Sequence, residues 1–352
     1  MEEKGGRMME VSERSFEKTI ECGLLLYGPD ACAGETKRVG EEAAPYGESP
    51  PGGYRKRNPE EYDATLCLLP RDAIDFILAT QPKEWERLKQ HYGASVKGQF
   101  LKRLSREIER RGALDVLRNG IKDSGCKFPL AFFRPSSGLN EALRRLHAAN
   151  LFAVVRQLRY SEKSVQSLDM VLFLNGIPIF SAELKNPLTG QTVEDAIRQY
   201  KTTRDPREPL FAYGRCLAHF AVDPDLVYVA TQLEGLKTNF LPFNQGKFGG
   251  AGNPLVPPTQ KGYATAYLWE KIWARDSVLD LIRRFIHEVE EEDEKGRKTG
   301  KKMIVFPRYQ QLDAVKQMVA HARQHGAGQR YLIQHSAGSG KSFTIAWLAH
   351  RL

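Results

Sequence analysis

Residues 167–187 read SLDMVLFLNGIPIFSAELKNP, two apolar runs of strand length joined by Asn175 and Gly176. Asn-Gly between such runs is the strongest short-range hairpin signal, because both turn positions need φ > 0 and these residues tolerate it best. The pattern predicts an antiparallel pair that folds Asp169 back beside Glu183 and Lys185. Glu183 and Lys185 alternate with Leu184, so both project from one face of their strand. With a strict two-residue turn, Leu174 pairs with Ile177 and Asp169 falls opposite Ala182. Glu183 then points to the wrong face, since a one-residue slip reverses every side chain. Either a three-residue turn with Gly in the left-handed region or a bulge at Pro178 restores the alignment, and one of these is expected.

Charges at strand centres are disfavoured unless they are used. Two adjacent carboxylates repel and gain by sharing a hard divalent cation such as Mg²⁺, which prefers oxygen ligands. Such an ion lowers the pKa of bound water and neutralises charge developing on a phosphodiester. A lysine beside it orients that water or stabilises the transition state. On these grounds Asp169 and Glu183 are the candidate metal ligands and Lys185 the candidate catalytic lysine. The competing reading is a structural ion pair on a solvated strand face.

Working outward, short apolar strands are expected at 151–155 and 226–230, with helices at 139–149, 193–202 and 268–289. Upstream, helical patterns cover 12–25 and a stretch from Pro70, where Ala73, Ile74, Ile77 and Leu78 share a face. A charged helix is expected over about 96–118, carrying Lys102, Arg103, Arg106, Arg110 and Arg111. It reads as a solvated face, with a DNA or partner surface as the alternative. Gly/Pro-rich residues 34–53 read as a loop insertion. Residues 288–302 are almost all charged or Gly, which predicts a linker and a domain boundary. Interleaved strands and helices place the chain in the α/β class.

The chain has 352 residues, enough for two domains or three, with 41 % hydrophobic and 27 % charged residues. That composition excludes a wholly disordered or collagen-like chain. No run approaches the roughly 18 apolar residues of a membrane span. Lys and Arg number 52 against 43 Asp and Glu, a net charge of +9 that suits a polyanionic partner. The five cysteines, Cys22, Cys32, Cys67, Cys126 and Cys216, form no C-x-x-C pair, so neither a zinc site nor a disulfide framework is indicated. The N-terminus lacks the apolar core of a signal peptide, and a cytoplasmic location is expected.

Asp169, Glu183 and Lys185 in this setting resemble the PD-(D/E)xK nuclease core, a central mixed sheet flanked by helices. More narrowly, the chain resembles the restriction (R) subunit of type I restriction–modification enzymes. The likeness runs through Asn150–Gln157, the hairpin, Asp195–Tyr200, Pro209–Phe211, Thr238–Asn244 and Tyr267–Glu270. It implies that Asp169 and Glu183 hold Mg²⁺, that Lys185 assists, and that Gln199 in the next helix supports DNA cleavage. The family pattern Q-x-x-x-Y is broken here, since position 203 is Thr and Tyr200 is adjacent to Gln199. An exposed helix residue is the alternative reading of Gln199. An early helix acid is also part of such cores, and Glu17 is the candidate.

Residues 330–347 read as a strand, a Gly-rich turn and a helix start, the context of a P-loop. Backbone N–H groups of Gly338, Ser339 and Gly340 would cradle phosphates. Lys341 would reach the β/γ-phosphates of ATP, and Ser342 would ligate its Mg²⁺. His335 replaces the usual first Gly. Residues 306–314 resemble the adenine-reading segment of superfamily 2 helicases, with Gln311 contacting the base. The expected organisation is a tail at 1–11, an endonuclease domain at 12–287, a linker at 288–302, and the start of a RecA-like motor at 303–352. With the sequence stopping at Leu352, no second lobe or Walker B acid is in view, and ATP hydrolysis is expected to be incomplete within this segment.

The resemblance implies a subunit that joins methyltransferase (M) and specificity (S) subunits, translocates double-stranded DNA with ATP and cleaves it away from the recognition site. Two alternatives stand beside it. One is a free-standing repair or junction nuclease of the same core. The other is a non-catalytic remnant that docks on DNA or the methyltransferase.

Overall fold

The computed structural model describes residues 13–32, 52–135, 140–187, 190–247, 250–257, 262–292, 297–326, 328–336 and 340–351. In chain order, α1 (Glu13–Leu25) is followed by β1 (Arg55–Arg57), α2 (Pro70–Thr80), α3 (Pro82–Tyr92), α4 (Val96–Arg111) and α5 (Ala113–Asn119). Next come β2 (Ile121–Asp123), β3 (Cys126–Phe128), α6 (Glu141–Ala148), β4 (Phe152–Arg159), β5 (Ser167–Leu174), β6 (Ile177–Leu184) and α7 (Val193–Thr202). The remainder comprises β7 (Ala218–Val222), β8 (Val227–Ala230), β9 (Leu241–Pro242), α8 (Arg275–Asp280), β10 (His287–Glu292), β11 (Lys298–Val305), α9 (Tyr309–His325) and α10 (Lys341–Ala349). The chain is thus mixed α/β, as its interleaved periodicities predict.

The expected hairpin is β5–β6, and it joins a seven-stranded mixed sheet of order β1-β4-β5-β6-β7-β8-β9. Asn175 and Gly176 take φ of 52° and 79°, the pair of positive values that a two-residue hairpin turn requires. Leu174 pairs with Ile177 and Phe173 with Pro178, then the register shifts so that Leu172 meets Phe180 and Met170 meets Ala182. Ile179 is the extra residue, a bulge next to Pro178. This irregularity, one of the two anticipated, turns Asp169 and Glu183 to the same face. Pro178 costs no ladder bond to β7, because β7 pairs with β6 only from Phe180 onward.

β6 and β7 are parallel, with α7 crossing between them, whereas β4–β5, β5–β6 and β7–β8 are antiparallel. β6 is therefore paired on both sides and buried along its length. One face of the sheet packs on α1, α2, α4 and the segment 267–286 through Phe16, Phe76, Phe100, Leu172, Phe180 and Trp273. The other face carries a smaller cluster that includes Val171, Phe173, Tyr160, Tyr200 and Phe211.

Several expectations change. The helix expected over 96–118 breaks at Gly112 (φ 82°), giving α4 and α5. The single helix expected over 268–289 is a π-helical turn at Leu268–Ile272, then α8, then a π-helical turn at Leu281–Phe285. Its interruption falls at Ala274, which is extended (ψ 137°), and there the Tyr54 hydroxyl donates to the Trp273 carbonyl at 2.8 Å. Cys22 and Cys32 form a disulfide, which their spacing did not announce; the turn after α1 brings their Cα atoms to 5.5 Å. The charged run expected as a linker forms the antiparallel ribbon β10–β11, with Glu288 paired to Lys302 at 2.6 Å. The residues that follow pack on the sheet core, where Phe306 stacks edgewise on Phe180, Phe220 and Phe243. Most of the loop expected at 34–53 lies outside the described residues. Among the described residues no helix is long and apolar enough to cross a membrane.

Candidate active site

The bulged register builds a row of polar side chains across three strands. Gln157 on β4 lies between the pairs Arg156–Met170 and Leu158–Leu168, opposite Asp169. Asp169 in turn lies beside Glu183, and Glu183 pairs with Ala221 on β7. Gln157 holds φ of +51°, a left-handed conformation that costs a non-Gly residue of order 1 kcal/mol and that clusters at functional sites. Lys185 continues the β6–β7 ladder through its N–H to the Val222 carbonyl at 2.9 Å, and it shares the Glu183 face. Asp169, Glu183 and Lys185 are all buried.

Each carboxylate has a distinct set of partners. Asp169 Oδ2 accepts the Leu184 N–H at 2.8 Å, and its Oδ1 accepts from Gln157 Nε2 at 3.3 Å. Glu183 Oε1 accepts from Arg204 Nε at 2.7 Å and forms an ion pair with the same guanidinium, whose Nη2 lies 2.6 Å away. Glu183 Oε2 is buried with no hydrogen-bond donor among the described residues. Burial pushes the Glu183 carboxyl well above the usual range; the adjacent Asp169 pushes it further, and Arg204 offsets only part.

Glu17 reaches the same site from α1. Its Oε2 accepts from Arg156 Nη2 at 2.6 Å, and its Oε1 accepts from the Gln157 amide that also serves Asp169. The early helix acid is thus one hydrogen-bond step from Asp169.

Gln199 is placed differently. It is half-buried on α7, and among the described residues no hydrogen bond joins its side chain to Asp169, Glu183 or Lys185. Tyr200, its neighbour, is buried with its hydroxyl 2.8 Å from Ser181 Oγ, which also contacts His219 Nδ1 at 2.8 Å. Burial lowers the His219 pKa to about 3, so this layer beneath the site is neutral.

Sequence reading missed the roles of Gln157 and Arg204. Gln157 lies two residues past the strand expected at 151–155, in the part of β4 that sequence reading did not cover, and Arg204 follows α7 with no periodic signal. Only the fold brings them to the carboxylates.

Two converging carboxylates with one bare buried oxygen fit a hard divalent cation, which binds through one or two carboxylates and completes its shell with water. Among the described residues no group of three or more His, Cys, Asp and Glu side chains gathers. Two protein carboxylates are therefore what the residues offer.

The second expected site lies at the C-terminal end. Gly338 and Ser339 lie outside the described residues. Gly340 (φ 77°) immediately precedes α10, and a Cβ there would come 2.6 Å from Gln311 Nε2. Gln311 is buried, donates to the Gly340 carbonyl at 2.9 Å and accepts the Arg308 N–H at 2.8 Å. Lys341 Nζ donates to the carbonyls of His335 (3.3 Å) and Ser336 (3.0 Å), and Ser342 is exposed. Residues 330–335 pair with no strand among the described residues, and Leu332 is 95 % exposed, so the strand expected there does not form. A β-strand requires a ladder partner, and none lies alongside.

Comparison with known proteins bears on this arrangement. Residues 72–238 match the family described as Type I restriction enzyme R protein N terminus (HSDR_N). The type I restriction enzyme HindI endonuclease subunit of Haemophilus influenzae is 28 % identical over 207 residues, 58 % of this chain and 19 % of that protein. A Methanocaldococcus jannaschii protein assigned as the MjaVIIIP type I restriction enzyme endonuclease subunit is 29 % identical over 207 residues, 57 % of this chain and 18 % of its own length. The match thus spans under a fifth of these relatives. The stretch that carries Asp169, Glu183, Lys185, Gln199 and Arg204 belongs to the N-terminal region of the type I restriction enzyme R protein family.

Proposed function

We propose that this chain is the nuclease-bearing N-terminal part of a type I restriction endonuclease R subunit, with a PD-(D/E)xK core that cleaves double-stranded DNA. The observation that carries the reading is the buried pair Asp169–Glu183, aligned by the Ile179 bulge, with Glu183 Oε2 bare beside Asp169. Asp169 and Glu183 would hold Mg²⁺, which when bound supplies a more acidic water and neutralises phosphodiester charge. Lys185, two residues along the same face, would orient the attacking water and offset negative charge at the phosphate. Asp169 is held for this by Leu184 N–H and Gln157, so its carboxylate needs little rearrangement. Gln199 would act from α7 on the DNA rather than on the carboxylates.

The tie between Gln311 and Gly340 and the position of Lys341 support ATP binding at the second site. As part of a longer subunit it would drive DNA translocation, with methyltransferase and specificity subunits as partners and DNA as the common substrate. The net charge of +9 suits that substrate.

The test is cleavage of plasmid DNA by the subunit assembled with its methyltransferase and specificity partners, ATP and Mg²⁺. Asp169→Asn and Glu183→Gln are expected to abolish cleavage while DNA binding persists. Cleavage at the wild-type rate by either variant would refute the assignment.

A further inference from the structure

Arg204 lies just past α7, remote in sequence from the carboxylates, yet its side chain is 4 % exposed and ends on Glu183. The contact is unusual in its geometry. Arginine and carboxylate favour a fork in which each oxygen receives one N–H. Here Nε donates to Oε1 at 2.7 Å, Nη2 lies 2.6 Å from the same oxygen, and Oε2 receives nothing. A buried acceptor without a donor is costly, so the ordinary fork would be the more stable choice for a purely structural pair.

The guanidinium is held in this pose from its far side. Nη2 also donates to the Ser167 carbonyl at 2.7 Å, and Nη1 lies 3.4 Å from Gln166 Oε1. The group stands over the Tyr160 ring at 5.5 Å from its centroid, and the Tyr160 hydroxyl donates to the same Gln166 oxygen at 2.7 Å. Tyr160, Gln166 and Ser167 belong to the connection between β4 and β5 and to the first residue of β5, the strand of Asp169. Arg204 therefore ties the strand of one carboxylate to the side chain of the other.

We infer that Arg204 is a positioning residue for divalent-cation binding: it clamps Oε1 of Glu183 and thereby presents Oε2 beside Asp169. The inference rests on the reading of Asp169 and Glu183 as cation ligands. Arg204 touches neither water nor substrate in this role; it acts through Glu183. Groups that orient metal ligands typically change metal affinity about 10–100-fold when replaced.

The test is calorimetric titration of the 352-residue chain with Mn²⁺ alone, at a temperature where circular dichroism shows each variant folded. Arg204→Gln removes charge and clamp, and its Mn²⁺ affinity is expected to fall by about 10-fold or more. Arg204→Lys keeps the charge but cannot hold Oε1 and the Ser167 carbonyl together in the guanidinium geometry, and an intermediate loss is expected. A purely structural role would lower the melting temperature and leave affinity unchanged. Wild-type or tighter affinity in Arg204→Gln, together with lost binding in Glu183→Gln, would overturn this inference alone. Wild-type binding in Glu183→Gln and Asp169→Asn would overturn the ligand assignment beneath it. If Arg204→Gln does not fold, the Lys variant decides: unchanged affinity there also overturns the inference.

Discussion

Replacing Asn175 by Ala tests whether the hairpin turn is the structural anchor that the site depends on. The Asn175 side chain is fully buried, and its three hydrogen bonds all leave the hairpin. Oδ1 accepts the Leu151 N–H at 2.7 Å, while Nδ2 donates to the Leu130 carbonyl at 2.8 Å and to Asn150 Oδ1 at 3.0 Å. Asn150 Oδ1 keeps a second donor, the Phe132 N–H, so truncation chiefly strands Leu151 N–H and the Leu130 carbonyl. An orphaned buried donor and acceptor cost together about 3 kcal/mol. Alanine at φ 52° adds about 1 kcal/mol of left-handed strain that Asn tolerates. The expected loss is about 4 kcal/mol, read as a fall in the urea midpoint monitored by tryptophan fluorescence. Asn175→Gly, which relieves the backbone but not the hydrogen bonds, should recover about 1 kcal/mol of it. A loss below about 1 kcal/mol in Asn175→Ala would refute the hydrogen-bond accounting.

Three further expectations follow from features elsewhere. His219 is neutral in the fold with its pKa lowered from 6.5 to about 3, so only the unfolded chain gains this proton between those values. Stability therefore drops as the pH is lowered from about 6.5 to about 3, by about 1.4 kcal/mol per unit from this group. His219→Gln should flatten the slope of unfolding free energy against pH, and an unchanged slope would show that the ring is not the acid-sensitive group. Phe306→Ala removes a ring packed on three others and should cost about 3 kcal/mol, with faster tryptic cleavage in α9 as the readout; unchanged cleavage would mean that the segment does not dock as described. Cys22 and Cys32 should appear as one linked peptide in a non-reducing digest, and closure of their short loop should contribute about 3 kcal/mol that Cys32→Ser loses. Recovery of both thiols free in the native chain would contradict the pairing.

The central hairpin was legible because its charges and its turn conflicted. Asn175-Gly176 demanded one register and the pairing of Asp169 with Glu183 demanded another, so either a three-residue turn or a bulge at Pro178 was required, and the bulge is what forms. β7 escaped notice because it is five residues long and pairs in parallel, a partnership set by the crossover through α7. The segment 268–289 has the apolar spacing of a helix, but local periodicity does not report the break that packing against Tyr54 imposes at Ala274. The candidate residues Asp169, Glu183 and Lys185 could be named from two strands, whereas the contacts of Arg204 and Gln157 with the carboxylates could not. Arg204 reaches Glu183 across 21 positions and Gln157 reaches Glu17 across 140, and no local pattern encodes either contact.

Phe306 has a mechanical consequence. It leaves the ribbon and inserts its ring against Phe180, three residues from Glu183 on the same strand but on the opposite face of the sheet. The ring also bears on Phe220 of the neighbouring parallel strand and on Phe243. The junction upstream of α9 is thus anchored on the sheet by three ring contacts. A force applied to α9 would reach the back of β6 through these edge-on rings, and so the strand that carries Glu183.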